Sequence, residues 1–327
     1  MNKNLTTNYL GLKLKNPLIA SSSGLTDQFA KIKLLEEKGI SAVVLKSIFE
    51  EQILMEIYQY PLDENSYTDA YEYISNYVRS KNVNDYLELI NQSKKNTIIP
   101  IIASVNCITS REWIMFTKNI EAAGADALEL NIFYLPIDKY KTSLDYENLY
   151  YDIVENVVNN LNIPISVKIS QHLTNPLNFV ENLKIRGVKG ITLFNRFYKH
   201  DIDIENFSFT TGEIFSVPNE LSEVLRWTGI ISGKIEDIDI STSTGVYEYN
   251  DVIKCILSGA TTVQLCSVLY KYGIEKVSEI LNNLNLWLDN KKIYDISEIR
   301  GKLNYKNIND PATYERVQFM KYFSNYK

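Results

Sequence analysis

Histidine is almost missing from this chain of 327 residues, with only His172 and His200 present. Two imidazoles leave almost nothing from which to build a His-based metal centre or a Ser-His-Asp triad. Cysteine is nearly as scarce. Cys107, Cys255 and Cys266 are odd in number and form no Cys-x-x-Cys pair, so they read as reduced thiols and exclude an iron–sulfur cluster. There is no basic run and the net charge is −6, which argues against nucleic acid as a partner, because phosphate binding needs clustered Lys and Arg. No apolar stretch reaches signal-peptide or membrane-spanning length. The expectation is a cytoplasmic protein with no membrane attachment, no metal and a small-molecule substrate.

What is present is a repeat. The segments Gly39 to Ser47, Gly124 to Asn131, Gly187 to Asn195 and Gly259 to Ser267 share one pattern. In each, a Gly follows a helical stretch, as a left-handed helix C-cap requires. A short, β-branched apolar run follows, the mark of a strand buried on both faces. Each run ends in polar residues: Lys46-Ser47, Asn131, Asn195 and Cys266-Ser267. Helix, Gly, buried strand and polar tip, repeated at roughly 60–85-residue intervals, predict a (β/α)8 barrel, which keeps its chemistry at the C-terminal ends of its strands.

Four further strands fit between the repeats, at Asn16 to Ser21, Ile99 to Ser104, Ile163 to Lys168 and Asp239 to Thr242. Helical periodicity fills the gaps, starting with Asp27 to Lys38, where Thr26 or Asp27 is the expected N-cap, and including Asn84 to Lys94. The chain 1–327 thus reads as a single barrel domain with three additions. Residues 49–83 and 197–218 leave strand C-termini and are expected to fold over the active face as lids or binding loops, and 293–327 form a C-terminal extension that packs on the barrel or on a second subunit.

Lys46 and Lys168 occupy matching strand ends, where a cation suits an anionic ligand, a developing negative charge or Schiff-base chemistry. Asn106, Asn131 and Asn195 lie at or just past three other strand ends, and carboxamides suit a heterocycle with alternating donor and acceptor edges. Thr244-Gly245 and Cys266-Ser267 follow strands seven and eight, where barrels of this kind bind phosphate.

Asn16-Pro17 with Ala20-Ser21 through Gly24, then Leu45-Lys46-Ser47, Glu129-Leu-Asn131, Val167-Lys168, Asn195, Ser243-Thr-Gly245-Val and Gln264-Leu-Cys266-Ser267, resemble the dihydroorotate dehydrogenase family. The resemblance spans nearly the whole barrel and extends to the ending from Arg300, which is similar to a bacterial dihydroorotate dehydrogenase-like branch. It implies FMN across the barrel mouth. Ala20, Ser21 and Gly24 would then run along the flavin, and Lys46, Ser47 and Lys168 would meet its ring and ribityl chain. Asn106, Asn131 and Asn195 would contact the ring or the substrate, and Thr244, Gly245, Cys266 and Ser267 would hold the phosphate. Beside such a ring, a lysine such as Lys46 would stabilise the charge of the reduced cofactor.

Two positions depart from the family pattern. The family's proton acceptor, a Cys or Ser three residues after the strand-four Asn, is replaced by Tyr134, which suits an acid better than a base, its free pKa being ~10. Tyr134 therefore either protonates a substrate or packs, and Cys107 is the alternative proton carrier. In the substrate loop, the segment from Ile74 to Ser80 keeps only Asn76 as a counterpart of a family Asn. The leading expectation is an FMN-dependent oxidoreductase acting on a C–C bond of dihydroorotate or a related pyrimidine-like ring. The alternatives are a catalytically weak flavin-binding interaction protein and a phosphate-binding lyase or aldolase using a barrel lysine. A homodimer is the family expectation, and the electron acceptor stays open among fumarate, NAD through an electron-transfer partner subunit, and others.

Overall fold

A computed structural model of the protein describes residues 3–49, 68–106, 111–197 and 199–315, with the backbone alone at 49, 68–81 and 111–115. The chain opens with an antiparallel hairpin, β1 (Thr7–Tyr9) and β2 (Leu12–Leu14), in register Tyr9↔Leu12. Its two-residue turn has φ of 56° at Leu10 and 77° at Gly11. A tight hairpin needs positive φ at both positions, and Gly11 supplies one of them without strain.

The barrel follows. In chain order its elements are β3 (Leu18–Ala20), α1 (Phe29–Glu37), β4 (Ala42–Val44), the two-residue β5 (Ile48–Phe49), α2 (Thr68–Asn96), β6 (Ile101–Asn106) and α3 (Arg111–Ala122). Next come β7 (Ala127–Asn131), α4 (Ser143–Val158), β8 (Ile165–Ile169), α5 (Pro176–Ile185) and β9 (Gly190–Leu193). A second hairpin, β10 (His200–Asp203) and β11 (Ser208–Thr211), precedes α6 (Leu221–Lys234), β12 (Asp239–Ser243), α7 (Tyr249–Ser258), β13 (Thr262–Leu265), the short α8 (Ser267–Tyr272) and α9 (Lys276–Lys291). Strands β3, β4, β6, β7, β8, β9, β12 and β13 pair in parallel, and β13 beside β3 with β4 beside β6 closes the ring. The (β/α)8 barrel expected from the repeats is the fold. Among the described residues no helix is long and apolar enough to cross a membrane.

Successive strand residues point to opposite faces. Leu18, Val43, Ile101, Leu128, Val167, Ile191 and Val263 face the helices in one large apolar cluster. Ile19, Ala42, Val44, Ile102 and Ala127 face inward and form a second cluster with Tyr9, Leu10 and Leu14. The N-terminal hairpin therefore plugs the N-terminal end of the barrel, where Leu10 N–H also donates to the Asp239 carboxylate at 2.7 Å. Nothing in the sequence reading anticipated this plug, although the alternation from Thr7 to Leu14 around Leu10-Gly11 is a hairpin pattern.

Three local expectations change. The N-cap of α1 is Gln28 without a side-chain cap, not Thr26 or Asp27. Thr26 Oγ1 instead donates to Ser23 O at 3.0 Å, and Asp27 pairs with Lys31 at 2.7 Å. The stretch read as a loop up to residue 83 is helical from Thr68, continuous with the expected helix, and 50–67 lie outside the described residues. The 197–218 insertion is built around the β10–β11 hairpin. The extension from 293 packs on the barrel: Arg300 Nη2 donates to Thr7 Oγ1 at 2.6 Å, and Tyr305 N–H to Gly229 O at 2.9 Å. Phe319, Tyr322 and Phe323 lie outside the described residues.

The plug makes Tyr9 a stability determinant. Only 1% exposed, its replacement in Tyr9→Ala is expected to cost about 3–5 kcal/mol, as truncation of a large buried ring does, read from the shift in urea midpoint.

Candidate active site

Strand parity decides which side chains reach the barrel mouth. Counting by two along the inward face of β7 gives Ala127, Glu129 and Asn131; along β8, Ser166 and Lys168; along β13, Thr262 and Gln264, with Cys266 just beyond. The last residue of each series sits at the C-terminal rim. Register pairing then brings Asn131 opposite Lys168, and Lys168 opposite Thr192 of β9.

A cavity of about 470 Å³ opens at this rim, within the size range of cofactor sites. Of the residues singled out in the sequence, Ser21, Lys168, Asn195, Thr244, Gly245, Cys266 and Ser267 line it. A larger cavity of about 840 Å³ lies at the opposite end, bordered by Leu10, Pro164, Lys189, Asp239 and Arg300. It contains none of the expected residues, and barrels of this kind work from the other face.

Lys168 is the electrostatic centre of the mouth. It is 8% exposed, and among the described residues no carboxylate lies within ion-pair distance. Among the described residues its side chain makes one hydrogen bond, from Nζ to Ser21 Oγ at 3.4 Å. The matched position Lys46 behaves differently: it is exposed and outside the cavity lining, with its N–H bonded to Thr26 O at 3.3 Å. Strand position alone made the two lysines look equivalent, but burial separates them. Ser47 is buried beside Lys46, in a hydroxyl chain with Ser22 at 3.0 Å and Ser104 at 2.7 Å.

The three asparagines divide in the same way. Asn195 Nδ2 donates to Asn131 Oδ1 at 2.8 Å, fixing the orientation of both amides. Asn106 is buried at the end of β6, and its Oδ1 has no partner among the described residues. Asn76 lies on α2, where the side chains are outside the description, as is Cys107 altogether.

At the opposite side of the cavity, Thr244 and Gly245 have φ of 84° and 78°. Two consecutive left-handed residues turn the backbone sharply. A Cβ at Gly245 would sit 2.5 Å from Leu221 N, so only glycine fits. Ser216 bridges this turn to the last strand end, its Oγ accepting from Gly245 N–H at 3.3 Å while its own N–H donates to Ser267 Oγ at 3.0 Å. Cys266 caps the start of α8, and burial pushes its thiol up while the neighbouring Lys168 pulls it down by less. Ala20 ends β3 just below the rim. Gly24 lies under Tyr270, whose hydroxyl would be 2.9 Å from a Cβ there.

Several lining residues were given no site role from the sequence: Arg196, Phe215, Ser216, Tyr270 and Gln264, the last of these named only within a motif. Gln264 was findable, being two residues before Cys266 on an inward-facing strand. Phe215 and Ser216 belong to the strap after β11, which no periodicity marks. Arg196 ties that strap down, with Nη1 on Ile214 O at 2.6 Å, Nη2 on Glu213 O at 2.7 Å and Nε on Glu220 at 3.2 Å. Burial alone would raise the Glu220 carboxyl, but hydrogen bonds from Lys199 and Arg196 outweigh it and hold the group below the usual carboxylate range.

Tyr134 lies outside the mouth cavity. It lines a neighbouring pocket of about 300 Å³ with Tyr150, His172 and Phe197, and its ring stands edge-on to Tyr150 at 5.7 Å. Burial pushes the Tyr150 hydroxyl up to about 12.

A buried ammonium without a counter-ion is destabilising on its own, so the mouth is built at a cost to the fold. Lys168→Met is therefore expected to raise the stability of the ligand-free protein by about 1–2 kcal/mol, measured by urea unfolding. A loss of stability would mean that the ammonium is needed for folding.

Comparison with known proteins gives these features a family. Residues 79–288, well over half of the chain, match the family model described as dihydroorotate dehydrogenase. The chain is also similar to proteins named dihydroorotate dehydrogenase B (NAD(+)), catalytic subunit. The one from Thermoplasma volcanium is 27% identical over 91% of this chain and 97% of its own length. The one from Caldicellulosiruptor bescii is 26% identical over 92% and 99%, and that from Methanocaldococcus jannaschii 24% over 91% and 97%. A (β/α)8 barrel with its polar strand ends gathered at one mouth, matched over this length, belongs to the dihydroorotate dehydrogenase family.

Proposed function

We propose that the chain is an FMN-dependent oxidoreductase acting on a C–C bond of a small ring, dihydroorotate or a related pyrimidine-like compound. The observation that carries this is Lys168, a buried cation without a carboxylate partner among the described residues, lining a cavity at the catalytic end of the barrel. Such a charge is tolerated where a ligand supplies the anion.

The residues fit FMN. Lys168 meets the need for a cation beside an electron-accepting ring. The turn at Thr244 and Gly245, with Ser267 and the backbone before α8, suits a phosphate, and Asn106 Oδ1 is a buried acceptor with no donor among the described residues. When bound, FMN supplies the redox chemistry by accepting two electrons from the substrate bond. Asn131 and Asn195, locked together, orient a ring with polar edges, and Phe215 and Tyr270 wall off water. In this reading Ala20, Ser21, Gly24, Lys46 and Ser47 border the cofactor, and Asn76 keeps the substrate role that the family resemblance implies. Lys46 contributes charge from the exposed rim, and Tyr134 packs against Tyr150 without carrying a proton.

The relatives' names describe a catalytic subunit of an NAD(+)-linked enzyme. The same reading gives this chain an electron-transfer partner subunit, a homodimeric state and a cytoplasmic location.

Anaerobic mixing of the flavin-loaded protein with dihydroorotate tests the reading. Bleaching of the flavin absorbance is expected, slowed by less than about tenfold in Tyr134→Phe, since loss of a true acid or base costs 10²–10⁴. A flavin that dithionite reduces but dihydroorotate does not would remove dihydroorotate and move the substrate to a related ring.

A further inference from the structure

Glu129 is a buried carboxylate for which neither the fold nor the proposed chemistry has a use. It lies on β7 two residues before Asn131, on the same inward face, and is 1% exposed. Its Oε2 accepts from Gln264 Nε2 at 2.8 Å and from Thr192 Oγ1 at 2.8 Å. Its Oε1 has no hydrogen-bond partner among the described residues.

The direction of these bonds follows from chemistry. The Glu129 oxygen that takes a bond from both Gln264 and Thr192 is an acceptor, whereas an amide has one donating and one accepting end. Gln264 must therefore turn its NH2 down to Glu129 and its carbonyl oxygen up to the mouth. There Ser21 Oγ donates to Gln264 Oε1 at 2.9 Å. Having given its only proton, Ser21 is left with lone pairs, and Lys168 Nζ lies 3.4 Å from them. Thr192 follows the same sense, accepting from Gln264 Nε2 at 3.2 Å and donating to Glu129. Each hydrogen bond along the chain Lys168–Ser21–Gln264–Glu129 is donated away from the cavity and toward the carboxylate.

We infer that Glu129 is a positioning residue that fixes this direction and, through it, what the mouth presents to its ligand. One N–H of the Lys168 ammonium is tied to Ser21, and the other two are left for the cavity. Ser21 is held as an acceptor for Lys168 and offers no proton to the ligand. The edge recognised at this wall is therefore anionic or acceptor-bearing, met by Lys168 and not by a proton from Ser21. That the ligand is a flavin rests on the proposed function; the direction of the chain does not.

Glu129→Gln keeps size and shape but lets the Gln264 amide adopt either orientation, so Ser21 can accept from Gln264 and swing its freed proton toward Lys168, which weakens the Lys168–Ser21 bond. The test is lysine-by-lysine acylation of the full chain with succinimidyl acetate, read by mass spectrometry after bromide dialysis to strip bound flavin. Exposed Lys46 is the internal standard. The Lys168-to-Lys46 rate ratio is expected to rise about tenfold in Glu129→Gln, the worth of one hydrogen bond to a charged group. Gln264→Leu breaks the same chain and is expected to act alike, which covers a failure of the first variant to fold. Thr192→Val leaves the Gln264–Glu129 bond in place and is expected to leave the ratio at its wild-type value. An unchanged ratio in Glu129→Gln, or a rise shared equally by all lysines, overturns the inference, the second outcome assigning Glu129 a purely structural role. Flavin content of the undialysed protein is read in parallel. Wild type without flavin would defeat the proposed function, and the lysine ratio would still decide this inference.

Discussion

Closing eight parallel strands into a ring forces every second side chain into a space that water reaches only from one end. Apolar residues fill the lower part of that space, helped by the plug of Tyr9, Leu10 and Leu14. Above them the inward positions turn polar: Glu129, Thr192 and Gln264 in one layer, then Ser21, Asn131 and Lys168. Lys168, without a carboxylate partner among the described residues, is held there by the surrounding barrel. The ring thus imposes both the burial that makes the ammonium costly and the rigidity that makes it useful to a ligand.

Much of this was legible in the sequence because barrel strands are short, buried on both faces and end in polar residues. The Gly that precedes each repeat marks a helix C-cap, and Gly39, Gly124, Gly187 and Gly259 all have positive φ. The polar tips pointed to the right end of the barrel, and seven of the residues named from them line one cavity. What failed to show was anything that depends on burial or on contacts across the chain. Lys46 and Lys168 occupy equivalent strand ends, yet one is exposed and the other enclosed. The helix from Thr68 was hidden by a polar, Tyr-rich stretch with no clean apolar stripe. The strap carrying Phe215 and Ser216 is irregular chain, positioned by Arg196 and its two carbonyl partners and not by any pattern of its own.

The aromatic groups at and beside the mouth carry different implications. Tyr270 and Phe215 lie with ring centroids 5.4 Å apart at the cavity that holds Lys168. Tyr134 instead joins Tyr150 and, through it, Phe179 in a stack behind the strand ends. Tyr134 is thereby part of the packing of α4 against the barrel. The cavity at the strand ends gathers Ser21, Lys168, Thr244, Gly245 and Ser267, while Tyr134 lies in a neighbouring pocket. Change is easier at the loops than at the inward strand positions, each of which is fixed by neighbours on both sides.

The central claim is that the mouth around Lys168 holds FMN. Its most direct test is the absorbance spectrum of the protein after incubation with FMN and gel filtration, compared with Lys168→Ala treated in the same way. Flavin bands retained by the wild-type protein and lost or strongly reduced in the variant are the expected result. A wild-type protein that emerges colourless, or a variant that retains as much flavin as wild type, would contradict it.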